Sequence, residues 1–275
     1  MATPKNPLKL KRRTHFLARE HLWRFADPRG FIHVYRKESG QVRSVKPGVD
    51  GLFNVNGVWS HTAENIMAQV EARFWAVLES LDRGSPAIDQ EVVSEYLALW
   101  RARVEFSRSH KDFEGPLNGI TQMDLKGGVT SRDSKGNEVV VTKEELLEYR
   151  GASFHSTDVQ ASARSSSGMI ILWFMDYARF HMRNAKVRWG VVASPDAPLV
   201  LPDRTTSFDI PISPHWFLHG FGEQEEYFPV STAPASTAAD FNRHFFDGAY
   251  EVVAADSSDT LRCLASPQAG GIFAK

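Results

Sequence analysis

Two carboxylates, an imidazole and an indole fall close together in the second half of this 275-residue chain: Asp203, Asp209, His215 and Trp216. An aspartate at a strand end can orient water or stabilise a cationic sugar. A histidine can move a proton or hold a phosphate, and aromatic rings can clasp an extruded base. Asp203 carries the catalytic expectation here, with His215 and Trp216 placed to contact a substrate. Aspartate beside proline is also ordinary turn chemistry, so Asp203 taken alone fits both readings.

The flanking residues predict the elements that would position these groups. Residues 187–193 alternate as a strand, turn at Ser194-Pro195-Asp196, and enter a second apolar run, Leu199-Val200-Leu201, which stops at Pro202-Asp203-Arg204. This reads as a hairpin delivering an acid to a strand end. A third run, residues 207–212, closes on Pro214-His215-Trp216. Upstream, residues 169–183 form the most hydrophobic predicted helix of the chain. Its Asp176, Arg179 and Arg183 share a face that either salt-bridges along the helix or looks into a site. Backbone donors or an arginine, with Arg183 and Arg19 as candidates, are expected to hold Asp203 ionised.

Nearer the N-terminus, residues 15–25 predict a short helix ending at Asp27-Pro28-Arg29-Gly30, followed by a hairpin of residues 31–36 and 41–45. Thr62 and Asp89 are expected caps of two longer helices. The first carries Ile66, Val70, Phe74, Val77, Leu78 and Leu81 at helical spacing and ends at Gly84-Ser85-Pro86. The second turns Val92, Val93, Tyr96, Leu97, Trp100 and Val104 inward. Residues 109–142 read as a long insertion with a strand only at 138–141. A helix at 143–149, a Ser/Ala-rich approach at 153–167, a linker at 231–239, a helix around 241–246, a strand at 250–254 and a loose tail complete the chain. The predicted fold class is α+β, a mixed or antiparallel sheet packed against the central hydrophobic helix. Residues 1–275 form one domain behind a flexible basic leader, residues 1–14.

Composition narrows the chemistry. At 42% hydrophobic and 24% charged residues the chain is that of an ordinary globular protein. The single cysteine, Cys263, excludes an intrachain disulfide and a cysteine-based metal site, in keeping with a reducing cytoplasm. No apolar run approaches the roughly 18 residues that a spanning helix needs, and the N-terminus lacks the apolar core of a signal peptide. The expected setting is therefore cytoplasmic, with no membrane partner. Dinucleotide, P-loop, zincin and nucleophile-elbow motifs are all missing, so chemistry must rest on Asp, Glu, His or Arg, with no cofactor and no metal expected.

The charge is lopsided: residues 1–46 hold 12 Lys or Arg against 3 Asp or Glu, and the remainder 20 against 30. The basic block, including Arg12, Arg13, Arg19, Arg24 and Arg29, is interleaved with Phe16, Trp23, Phe25, Phe31 and Tyr35. That composition suits tracking phosphates and stacking on bases. It equally suits ion pairing with the acidic remainder of the same chain.

Residues 15–27, HFLAREHLWRFAD, with the GFIHVY run that follows, resemble the opening signature of the bacterial domain-of-unknown-function family numbered 4238. A Trp-led strand and a Thr-Ser-Asp motif of that family align with Trp189 and with Leu201-Pro202-Asp203. The family's long helix ending in arginine resembles residues 169–183, and its Asn-bearing helix resembles the segment around Asn242. In this chain Ala18 replaces a motif proline, Pro202 a motif serine and Thr205 a second proline. The resemblance implies a shared fold and makes His15 and Asp203 landmark residues, joined by Trp189 and Asn242. It also implies a setting of conflict with phage or other foreign nucleic acid.

Together these readings predict a hydrolase acting on nucleic acid, DNA foremost, that removes a base without a metal. The catalytic residues would be Asp203 and His15, and the substrate would be held by Arg19, Arg24, Arg183, Trp189, His215, Trp216 and Asn242. A nuclease, or a non-catalytic module binding nucleic acid or protein, is the alternative.

Overall fold

The computed structural model describes residues 14–48, 51–55, 61–85, 87–109, 129–132, 138–141, 175, 179–180 and 182–266. The sequence expectations for residues 1–13, 143–149 and 153–167, and for most of 109–142, lie outside them. The fold class is α+β, with two four-stranded sheets and helices.

The N-terminal strand β1 (Thr14–His15) pairs with β4 (Asn54–Val55), which follows a 3-10 turn at Gly51–Phe53. Between them come the short helix α1 (Arg19–Trp23) and the hairpin β2 (Ile32–Arg36) with β3 (Gln41–Val45). Asp27 forms the turn into that hairpin: its carboxylate accepts the backbone N–H of Arg29 and of Phe31, each at 2.9 Å. Two long helices follow, α2 (His61–Asp82) and α3 (Gln90–Ser109). Gly84, at φ +85, takes the left-handed conformation just past α2 that a side chain would resist. Asp89 caps α3 as expected, its Oδ1 accepting the amides of Glu91 and Val92 at 3.1 Å. All six expected inward residues of α3 are buried. The expected insertion contains a hairpin of β5 (Val129–Arg132) and β6 (Glu138–Val141).

The first large sheet has the order β11-β7-β10-β9, where β7 is Arg188–Ala193, β9 Asp209–Ser213, β10 Trp216–Phe221 and β11 Val230–Thr232. Strands β7, β10 and β9 are antiparallel and β11 joins β7 in parallel. The second sheet, β3-β2-β12-β8, adds β8 (Leu201–Pro202) and β12 (Val252–Ala255). The expected hairpin of 187–193 with 199–201 does not form, because β8 crosses to the second sheet and pairs with β12. Turn residues fix where the chain reverses, and the burial of Leu199, Val200 and Leu201 decides which sheet receives them.

One hydrophobic core takes in α2, α3, the inner faces of both sheets (Val34, Val191, Ile210, Leu218, Val252) and Met175 and Met182. The two methionines are 4% and 2% exposed, so the described part of the expected central helix does meet the core. Outside the sheets lie α4 (Ala235–Gly248) and α5 (Ser258–Ala265). Phe241 of α4 packs against two clusters, one with Val200, Phe245 and Val253, the other with Val192, Leu199 and Phe217. It thereby covers the outer faces of both sheets. Residues 231–239, read as a linker, hold the end of β11 and the start of α4, and the tail contains α5.

Candidate active site

Strands β9 and β10 form a hairpin whose register shifts at Trp216/Phe217, and this bulge sets His219 directly opposite Asp209. Their alternation leaves Ile210, Ile212 and Leu218 in the core and turns Asp209, Phe217, His219 and Phe221 to the outer face. His219 Nδ1 lies 2.6 Å from Asp209 Oδ1, with side-chain exposures of 25% for the histidine and 5% for the aspartate. A carboxylate only accepts, so Nδ1–H donates and Nε2 is left on the far side of the ring. Phe221 stands edge-on at 4.5 Å, and Phe217 and Phe241 flank the imidazole further out.

The surroundings of the pair favour the charged imidazole. Burial of the ring works against an imidazolium, but the hydrogen bond and charge of Asp209, with the charge of Glu225, outweigh it and raise the His219 pKa above 6.5. On the Asp209 side stands Arg101 of α3, which donates to the Ser207 carbonyl at 2.6 Å and lies 5.3 Å over the Phe208 ring. Burial lowers its pKa, the charge of Arg204 lowers it further, and Asp209 opposes both. The charge of Arg101 is thus felt at Asp209 together with that of the imidazole.

The residues expected from sequence take up several kinds of position. Asp203 is fully buried. Its Oδ1 accepts the amide of Tyr250 at 2.8 Å and its Oδ2 those of Glu251 and Val252 at 2.9 and 3.1 Å. Its own carbonyl receives Trp100 Nε1–H at 3.2 Å. This carboxylate organises the chain entering β12, held by backbone donors of the kind expected for it. Arg183, expected beside Asp203, instead donates to Glu91 of α3 at 2.7 Å, where Arg179 also pairs. His15 sits on β1 opposite Asn54. Arg19 is exposed and its stem lies against Gly48, which has φ +79.

Several other expected site residues have partners within the chain. Arg24 donates through Nε to the Ile212 carbonyl at 2.6 Å and forms a bidentate pair with Asp82 at 2.9 Å. Arg29 pairs with Asp27. Both arginines are thus engaged within the chain, Arg24 with the acidic remainder, as the ion-pairing reading anticipated, and Arg29 inside the basic block itself. Trp189 is a fully buried core residue whose Nε1–H reaches Ser94 Oγ at 2.8 Å. Asn242 is buried and bridges Val200 N–H and the Pro198 carbonyl at 2.9 and 2.8 Å. His215 and Trp216 are exposed at the β9–β10 turn, His215 Nδ1 lying 3.1 Å from the Ser194 carbonyl.

Sequence reading named Asp209 but missed its partner. The signal was present: residues 209–213 and 216–221 can fold back on each other about Pro214-His215, and one bulged residue brings Asp209 and His219 together. Among the described residues no group of three or more His, Cys, Asp or Glu side chains is placed to hold a metal ion. No described helix is long and apolar enough to cross a membrane. No protein-family profile, curated protein or solved structure matches this chain.

Proposed function

We propose that the chain is a hydrolase acting on nucleic acid, with base removal from DNA as its reaction and defence against foreign DNA as its setting. The observation that carries the reading is the His219–Asp209 hydrogen bond at 2.6 Å, with the carboxylate buried and the imidazole reaching the surface. A buried carboxylate that fixes the tautomer and favours imidazolium leaves Nε2–H as a proton donor near neutral pH. In base removal the C1′–N bond breaks with its electron pair going to the base, and Nε2–H supplies the proton that the departing nitrogen takes up. Water then bonds to C1′ and gives its proton to the neutral Nε2, which restores the imidazolium. The net change is addition of one water across the bond.

The test uses the full chain, a labelled oligodeoxynucleotide carrying natural or modified bases, and chelator in the buffer. The proposal expects strand breaks that appear only after alkali treatment and vanish with His219→Asn. Breaks without alkali would indicate a nuclease. Absence of both kinds of break, or an unimpaired His219→Asn chain, would overturn the assignment.

A further inference from the structure

Arg188 lies on the same outer sheet face as His219. The antiparallel register places Arg188 opposite Phe221 and Gly190 opposite His219, so the two side chains sit one strand apart and two residues along. At about 3.4 Å per residue this offset along the strand is about 7 Å. The Arg188 guanidinium stacks on Tyr227, 4.5 Å from the ring centroid. Tyr227 is itself fixed, since its hydroxyl donates to the Trp189 carbonyl at 3.2 Å and the next turn of chain is held by Val191 N–H to Pro229 O at 2.9 Å. A bare glycine is needed beneath this segment, because a Cβ on Gly190 would run into the Phe228 carbonyl.

Glu223, Glu225 and Glu226 all belong to the loop leading to Tyr227, yet none forms a described ion pair with Arg188. Glu223 is taken by Lys186, and Glu225 accepts the Gly222 amide at 2.5 Å. Among the described residues Arg188 is a flat, pre-oriented cation with no carboxylate partner, and Phe228, next in sequence to Tyr227, is 44% exposed. A planar guanidinium on an aromatic ring presents its remaining N–H donors in a fork that matches a phosphate. The adjoining exposed ring offers a face on which a base can stack.

We infer that Arg188, stacked on Tyr227, binds a phosphate of a single-stranded nucleic-acid substrate and so sets which nucleotide is presented to His219. This rests on the proposed hydrolase reading for its catalytic meaning, though not for the binding itself. The test measures anisotropy of a fluorescein-labelled single-stranded oligodeoxynucleotide over a salt series, for the native chain and for Arg188→Gln and Arg188→Lys. Arg188→Gln is expected to weaken binding about tenfold and to reduce the log–log salt slope by about 0.7, the share of one phosphate contact on a single strand. Arg188→Lys keeps the charge and should keep the slope, which loss of the Tyr227 stack alone would not explain. Native affinity and slope in Arg188→Gln, or no binding by the native chain, would overturn the inference. Arg188-dependent binding without any base release would leave it standing while removing the hydrolase assignment.

Discussion

His21 should make the fold sensitive to acid by an amount that can be calculated. The ring is fully buried, with Nε2 at 2.5 Å from the Pro211 carbonyl and Nδ1 at 2.9 Å from Tyr96 Oη. A carbonyl cannot donate, so Nε2 carries the proton and neutral Nδ1 accepts from the tyrosine hydroxyl. Phe25, Trp75, Tyr96 and Trp100 surround it. Burial lowers its pKa from 6.5 to about 4, partly opposed by the Pro211 bond and assisted by the charge of Arg24. The sign follows directly: the folded state disfavours the charged ring, so the contribution is complete above 6.5 and is lost as pH falls through about 4. At ~1.36 kcal/mol per decade, the loss between pH 7 and pH 4 is about 3 kcal/mol. Urea unfolding of the native chain and of His21→Gln, followed by tryptophan fluorescence, isolates this share from other titrating groups. The native advantage should shrink by about 3 kcal/mol over that range. An advantage that stays constant from pH 7 to pH 4 would refute the reasoning.

Asp203→Asn should destabilise the chain by on the order of 3 kcal/mol, since an amide leaves at least one of three buried N–H donors facing another donor; urea midpoints check this. A variant of native stability that had lost activity would favour the catalytic reading of Asp203. Asn242→Ala removes both partners of Val200 N–H and Pro198 O, and calorimetry should show a loss of about 2 kcal/mol. Base release should decline as pH rises past the raised His219 pKa, because the donor is then neutral. In Asp209→Asn that decline should move to lower pH, and pH–rate profiles decide it.

Several elements were legible because local chemistry and tertiary burial agree. The Asp89 cap, the inward face of α3, the Gly84 stop and the β2–β3 hairpin are each specified within a few residues. Strand β10 was missed because Phe217 and Leu218 are both buried, on opposite faces, while His219 and Gly220 interrupt the apolar run. The exchange of β8 between sheets was also hidden, since its two residues give no clue to their partner. The backbone partners of Asp203 were hidden for a related reason. An acid after a short apolar run looks the same whether it faces a substrate or three backbone amides, and only the position of β12 tells them apart. His219 could be found only by adding a bulge to the hairpin, and periodicity alone does not announce bulges.

The central claim is that Asp209 holds His219 as a proton donor, and NMR titration of the His219 imidazole in the full chain tests it most directly. The account predicts a pKa above 6.5 that falls when Asp209 is replaced by Asn. A value at or below 6.5 in the native chain, unchanged by that replacement, would contradict it.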